Sequence, residues 1–226
     1  MTSAGPNIPA DMPLIERLAA IPYTGAVSDI LDEMGRHQQA LPHSIQSLVP
    51  GQTLAGRALT LFGEPSEIED PDIVFPPVLR MLGAIRLGDV LAYQANDNVS
   101  AHLGELSSET AKFRGARGAV IDGGARDTEY MFRLGFPVFA RYKTPLDIRG
   151  RWRLVDWNVP IVIGSVAIAP GDLMLGDRDG VIVIPQTIAE EVVTKAEEVV
   201  HTENLVRAAI LQGVLPLEAY QRFGRF

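Results

Sequence analysis

The chain of 226 residues contains no cysteine. That excludes disulfides, thiolate chemistry and sulfur ligation, so any metal has to be held through oxygen or histidine. Histidine is itself scarce: His37, His43, His102 and His201 are dispersed, without metal-ligand spacing. Positive charge is in deficit, with 20 Lys and Arg against 28 Asp and Glu and a formal charge of −8. Such a balance argues against a general affinity for the nucleic-acid backbone, which requires clustered cations. No apolar run approaches the roughly 20 residues that span a bilayer. The start, Met-Thr-Ser-Ala-Gly-Pro-Asn-Ile-Pro, has neither a basic segment nor an apolar core, so no signal peptide is visible and a cytoplasmic location is expected.

What is there concentrates in Gly118-Ala-Val-Ile-Asp-Gly-Gly-Ala-Arg-Asp127. Ala119 to Ile121 reads as a buried strand that breaks at Gly123-Gly124, because glycines after a strand let the backbone turn or approach a ligand closely. Arg126 and Asp127 then stand side by side, where a loop presents polar groups from a rigid sheet. An ordinary strand-turn-helix joint, with Asp127 capping a helix from Thr128, fits the same pattern. So does a surface salt bridge for Arg126 taken alone.

Periodicity predicts an α/β chain with a mixed sheet and flanking helices. Residues 1–10 read as a loose tail and 11–226 as one domain. Thr24 is expected to cap a helix ending near Met34, with Gly35 at the stop. Strands are expected at Thr53–Phe62, Val90–Gln94, Ala119–Ile121, Val138–Arg141, Ile161–Ile163, Leu173–Leu175 and Val181–Ile184. The last is β-branched throughout and reads as buried on both faces. Helices are expected at Phe75–Ala84, Glu105–Arg114 and Thr128–Leu134. Thr187 with Glu190 reads as a capping box opening a long polar helix at 187–212, either a solvated lid or an element lying across a neighbouring subunit. The basic residues Arg141, Lys143, Arg149, Arg151 and Arg153, interleaved with Trp152 and Trp157, read as a solvated hairpin or a subunit contact rather than a nucleic-acid surface.

Upstream of the central motif stand Ala101-His-Leu-Gly-Glu-Leu-Ser-Ser108 and the hinge Arg114-Gly-Ala-Arg-Gly118. Downstream stand Ala169-Pro-Gly-Asp-Leu173 and Gly176-Asp-Arg-Asp-Gly-Val181. With Val120-Ile-Asp-Gly-Gly-Ala-Arg-Asp127 they resemble the RraA-like family, over a span from about Thr24 to Tyr220. That family takes in regulator of ribonuclease activity A and the divalent-metal class II pyruvate aldolases that act on 4-hydroxy-4-methyl-2-oxoglutarate and 4-carboxy-4-hydroxy-2-oxoadipate. The resemblance implies a swivelling β/β/α-type core and a trimeric or hexameric assembly of identical chains built with the C-terminal helix.

It also implies roles. Asp127 resembles the direct ligand of Mg²⁺ or Mn²⁺, a hard cation that needs one or two carboxylates and keeps several waters. Arg126 matches the arginine that offsets charge on the enolate oxygen. Gly104, Glu105 and Leu106 match the helix start whose amides bind the pyruvyl carboxylate, as helix N-termini bind anions. Glu105 sits where a carboxylate holds a metal-bound water. A further carboxylate is expected from the C-terminal helix of another subunit, Glu203 in preference to Glu197 or Glu198. The Leu-Ser-Ser that follows Glu105 departs from many relatives and should alter pocket polarity. His102 tempts as a general base, but the motif does not require it and a structural or rim role is expected. Asp122 is expected either to orient Arg126 or to stabilise the turn.

Two functions follow from the resemblance. One is metal-dependent cleavage of a 4-hydroxy-2-oxo acid to pyruvate through a metal-held enolate, with oxaloacetate decarboxylation as a side activity. The other is a regulator that docks on an endoribonuclease and inhibits it. The available carboxylates Glu105, Asp127 and Glu203 favour the enzyme. The basic segment suits a di- or tricarboxylate or a sugar acid as substrate.

Overall fold

Residues 9–226 are described by the structure, a computed structural model. Apart from Pro9 and Ala10, the expected tail lies outside the described residues. The helices are α1 Met12–Ala19, α2 Thr24–Glu33, α3 Pro71–Ala84, α4 Glu105–Phe113, α5 Thr128–Leu134, α6 Ala189–Leu211 and α7 Pro216–Phe223. The strands are β1 Gln46–Ser47, β2 Leu54–Pro65, β3 Asp89–Gln94, β4 Ala101–Leu103, β5 Gly118–Ala125, β6 Val138–Lys143, β7 Trp152–Trp157, β8 Ile161–Ile163, β9 Val166–Ile168, β10 Leu173–Gly176 and β11 Val181–Ile184. The fold is α/β, with a mixed sheet, flanking helices and a long C-terminal helix, as the sequence predicted.

The sheet runs β1-β6-β5-β3-β2-β10-β11, with β4 paired to β5 and β7 to β2. Its centre is parallel: β2 with β3, β3 with β5, and β5 with both β4 and β6. The flanks are antiparallel. The long β2 serves two partners along one edge, β10 at Leu54–Arg57 and β7 at Leu61–Pro65, the second with a register shift between Phe62 and Gly63.

Alternation of side chains distributes the core over both faces. Leu91 and Tyr93 of β3, with Ala119 and Ile121 of β5, face Met81, Met131 and Trp152. Val90, Ala92 and Val120 face the β8–β9 hairpin. In β11, Val181 and Val183 join that second layer, while Ile182 and Ile184 meet α1, α2 and α6. Each such side chain, fully buried, contributes roughly 2 kcal/mol, which is why β11 carries no polar alternation. The helix α6 buries Val192, Val193, Ala196 and Val199 in that same third cluster. Among the described residues no helix is long and apolar enough to cross a membrane.

Several local expectations are corrected. Thr24 is not a side-chain cap; it opens α2, and its N–H and hydroxyl donate to Asp177 at 2.7 and 3.1 Å. A carboxylate from a distant turn thus serves the helix N-terminus, where negative charge is favoured. No Thr187–Glu190 capping box forms, because Gln186–Ile188 tightens into a 3₁₀ turn and α6 begins at Ala189 without a side-chain cap. Asp172 holds that entry, accepting from the N–H of Ala169 at 2.8 Å and of Gln186 at 2.9 Å. The two downstream motifs therefore carry turn-fixing carboxylates. Gly123-Gly124 does not end β5, which runs on to Ala125. A Cβ on Gly123 would lie 2.6 Å from the His102 ring, and one on Gly124 2.7 Å from the Ser100 carbonyl, so these glycines admit close neighbours rather than a turn.

Candidate active site

The parallel strands β4 and β5 end side by side, with Leu103 opposite Ala125, and the N–H of Arg126 donates to the Leu103 carbonyl at 3.0 Å. Each chain then turns into a helix, α4 through Gly104 and α5 through Arg126-Asp127. Ligands of open α/β sheets bind just beyond such carboxyl ends. Here a cavity of about 360 Å³ opens between Ala101–Ser107, Arg126-Asp127, Asp147-Ile148 and the α3 residues Phe75, Val78 and Leu79.

Asp127 is left-handed, at φ 56°. Aspartate tolerates this better than most residues, yet such a conformation stores of order 1–3 kcal/mol and persists where surroundings impose it. Asp127 occupies the N-cap position of α5 without capping it; its Oδ2 instead accepts the N–H of Glu105 at 2.9 Å, across at the start of α4. Gly104 makes this reach sterically feasible, since a Cβ there would fall 2.7 Å from Asp127 Oδ2 and 3.1 Å from Arg126 Nε. With the Glu105 amide engaged, the next unpaired donors of the α4 N-terminus are Leu106 and Ser107. Ser107 lines the cavity, whereas Ser108 is buried and returns its hydroxyl to the Gly104 carbonyl at 2.7 Å.

Arg126 stands between two carboxylates. Its Nε is 3.6 Å from Asp127 Oδ2 and its Nη1 3.8 Å from Asp147 Oδ1, distances of ion pairing rather than of hydrogen bonds. Asp147 was missed in the sequence. Its signal was an acid inside a basic stretch, just past the strand expected at Val138–Arg141. Asp122 does not orient Arg126; it lies 3.0 Å from Arg141 Nε. The basic side chains of the segment do not line this cavity either, although its Asp147 and Ile148 do. Arg141 also donates to the Asp97 carbonyl at 3.0 Å, Arg149 to that of Glu69 at 2.5 Å, and Arg153 to Glu64 at 2.6 Å. Trp152 is buried in β7, so the expected solvated hairpin is in fact a strand of the main sheet.

His102 lines the cavity only at its floor. Its side chain is fully buried, edge-on to Trp152 at 4.8 Å between ring centres. Nδ1 lies 3.2 Å from the Gly124 amide and 3.3 Å from the Gly124 carbonyl, and Nε2 lies 3.2 Å from Asp97 Oδ2 but off the angle of a hydrogen bond. Burial pushes its pKa down to about 4 despite the attraction of Asp97. A neutral, walled-in imidazole is structural.

Glu203 lies elsewhere on its own chain. The Tyr23 hydroxyl donates to it, and burial, followed by that bond, raises Tyr23 to about 12. Glu203 lines a different cavity, with Val206, Arg207 and Ile210. Glu197 is taken by Arg17, at 3.0 and 2.8 Å.

Comparison with known proteins agrees with the motifs. The family RraA-like, described as Aldolase/RraA, matches residues 24–183. A protein of Halalkalibacterium halodurans named "Putative 4-hydroxy-4-methyl-2-oxoglutarate aldolase" is 32% identical over 212 residues, 93% of this chain and 95% of its own length. A crystal structure from Pseudomonas syringae pv. tomato superposes with a TM-score of 0.81 at 30% identity, covering 94% of this chain and 98% of that one. That of Streptomyces coelicolor RraAS2, described as an unusual member of the RNase ES inhibitor RraA protein family, gives a TM-score of 0.78 at 28% identity, covering 87% and 97%.

Proposed function

Because the chain belongs to the RraA-like family, we propose that it is a divalent-metal-dependent aldolase that cleaves a 4-hydroxy-2-oxo acid to pyruvate and a second carbonyl compound. Oxaloacetate decarboxylation is proposed as its side activity. The observation that carries this reading is the convergence of Arg126, Asp127 and the α4 N-terminus on one cavity.

The donors suit Mg²⁺ or Mn²⁺. Cysteine is absent, His102 is walled in, and the cavity's carboxylates are Glu105, Asp127 and Asp147. Among the described residues of one chain no group of three or more His, Cys, Asp or Glu is placed to hold a metal ion. A hard cation that takes one or two carboxylates and fills its other positions with water and substrate matches such a set. Asp127 would hold it, with Oδ2 fixed by the Glu105 amide. The ion would supply Lewis acidity to the 2-oxo group.

The Leu106 and Ser107 amides bind the pyruvyl carboxylate at the positive end of α4. Arg126 faces the 2-oxo oxygen and offsets the charge that grows there. Glu105 holds the water that takes the 4-hydroxyl proton. The C3–C4 bond then breaks, C4 becomes a carbonyl, and the electron pair passes to the C2–C3 enolate. Water returns a proton to C3, giving pyruvate. Decarboxylation of oxaloacetate runs through the same enolate. Glu203 of the partner subunit, in a trimer or hexamer, would complete the acidic side of the site.

Solved structures described as an unusual member of the RNase ES inhibitor RraA protein family and as an RNA-processing inhibitor support a second reading, a regulator that docks on an endoribonuclease. Pyruvate release from 4-hydroxy-2-oxo acids, with Mg²⁺ and after EDTA, separates the two. The aldolase gives pyruvate that chelation abolishes and Mg²⁺ or Mn²⁺ restores. Release that survives chelation overturns the metal-dependent reading, and no release under any metal leaves the regulator.

A further inference from the structure

We infer that Asp147 is a positioning residue for Arg126. It offsets the pull of Asp127 on the guanidinium, so that Arg126 faces the cavity and Asp127 keeps its charge for a cation. The inference rests on the aldolase reading for the roles of Arg126 and Asp127. It adds the group that keeps these adjacent, opposite charges from neutralising each other.

An arginine within reach of an aspartate gains most by closing on it in a two-pronged pair. Such a pair would occupy the oxygens meant for Mg²⁺ or Mn²⁺ and turn the arginine's donors away from substrate. Arg126 does not close. Its stem lies over Gly104, where a Cβ would fall 3.2 Å from Arg126 Cγ. Its Nε stands 3.6 Å from Asp127 Oδ2, and its Nη1 stands 3.8 Å from Asp147 Oδ1. The two carboxylates are similarly exposed, at 41% and 38%, so solvent screens both attractions alike. Drawn from both ends of its fork, the guanidinium stays between them, and neither contact is close enough to use up a donor. Asp147 can exert this pull because it is fixed. Its loop is bonded to the strands that deliver the other site residues. The Thr144 N–H donates to the Ala125 carbonyl of β5 at 3.1 Å, and the Leu146 carbonyl accepts the Ala101 N–H of β4 at 2.9 Å. Ile148 is buried in the core below, and its N–H donates to Asp147 Oδ1 at 2.7 Å. The carboxylate is thereby set before any ligand arrives, as preorganised charge requires.

Asp147→Asn tests this, because asparagine keeps an oxygen for the Ile148 amide and removes only the charge. With the balance gone, Arg126 closes on Asp127. Calorimetry should then show Mn²⁺ binding weakened by about fivefold or more, the scale of coupling within one charged network. Pyruvate release should lose about tenfold or more in kcat with KM changed less, as expected when an interaction with developing charge is misplaced. The same substitution made beside Arg126→Ala separates positioning from loop structure. If Asp147 acts through Arg126, its replacement costs little further Mn²⁺ affinity once the arginine is gone. A carboxylate that merely shapes the loop costs the same in both backgrounds. Equal losses with and without Arg126, no loss on Asp147→Asn, or no Mn²⁺ binding by the unaltered chain overturns the inference. Coupled loss of Mn²⁺ affinity without pyruvate release from any chain upholds it and fails the aldolase reading instead.

Discussion

At the scale of single residues, the molecule separates groups that serve chemistry from groups that serve position. Arg126 and Asp127 are half exposed to a cavity, while Asp172 and Asp177 are buried on backbone amides. His102 belongs with the second kind, and it makes stability depend on pH. Its folded pKa of about 4 lies below the ordinary 6.5, so the unfolded chain binds the proton first as pH falls. The contribution of the neutral ring is intact above about 6.5 and is lost on descent toward about 4, by roughly 3 kcal/mol in all. Asp97 acts in the same direction: burial opposes its ionisation, but the Ser100 hydroxyl and amide hold its pKa below the usual range. Urea unfolding of His102→Gln should show lower stability at neutral pH and an acid slope shallower by about one proton. Parallel pH curves for variant and parent would contradict this assignment.

At the scale of elements, β2 and β7 tie the sheet to the cavity floor. Where their register shifts, Gly63 lies under Trp152, and a Cβ there would overlap the indole and sit 2.8 Å from the Arg153 carbonyl. Trp152 is anchored by its N–H to the Ala95 carbonyl at 2.8 Å and supports His102. Gly63→Ala should therefore cost about 2 kcal/mol, as overpacking does, measured as a lower urea midpoint at unchanged m. An unaltered midpoint would mean that this packing yields freely.

Such contacts mark where the sequence stops being legible. Val181–Ile184, Ile161–Ile163 and Thr128–Leu134 were read to the residue because apolar runs and helical periodicity are local signals. The caps were misread because they are long-range: Thr24 looks like a cap until Asp177 arrives from 153 positions away. β7 was lost in a basic stretch whose charges find Glu64 and backbone carbonyls only after folding. At the site, the motif brought Gly104, Glu105, Leu106, Arg126 and Asp127 together as read, whereas Asp147 and the α3 wall belong to no motif.

At the scale of the whole molecule, the proposed assembly and the proposed chemistry meet in Glu203. One chain keeps Glu203 beside Tyr23, away from the Arg126 cavity, so only a partner can bring it there. Mixed Asp127→Ala and Glu203→Ala chains, once mass spectrometry of differently tagged copies shows exchange, should regain activity that neither has alone. Exchange without recovery, or a fully active monomer, would contradict the shared site. The central claim is that Asp127 holds the metal on which pyruvate formation depends, and Asp127→Asn tests it most directly. Asparagine keeps the left-handed conformation accessible and an oxygen for the Glu105 amide while removing the charge. Calorimetry should give one Mn²⁺ per unaltered chain and little or none for the folded variant, with pyruvate release falling about 10²-fold or more, the scale of losing one stabiliser of transition-state charge. A folded Asp127→Asn protein that binds Mn²⁺ and releases pyruvate like its parent would contradict the account.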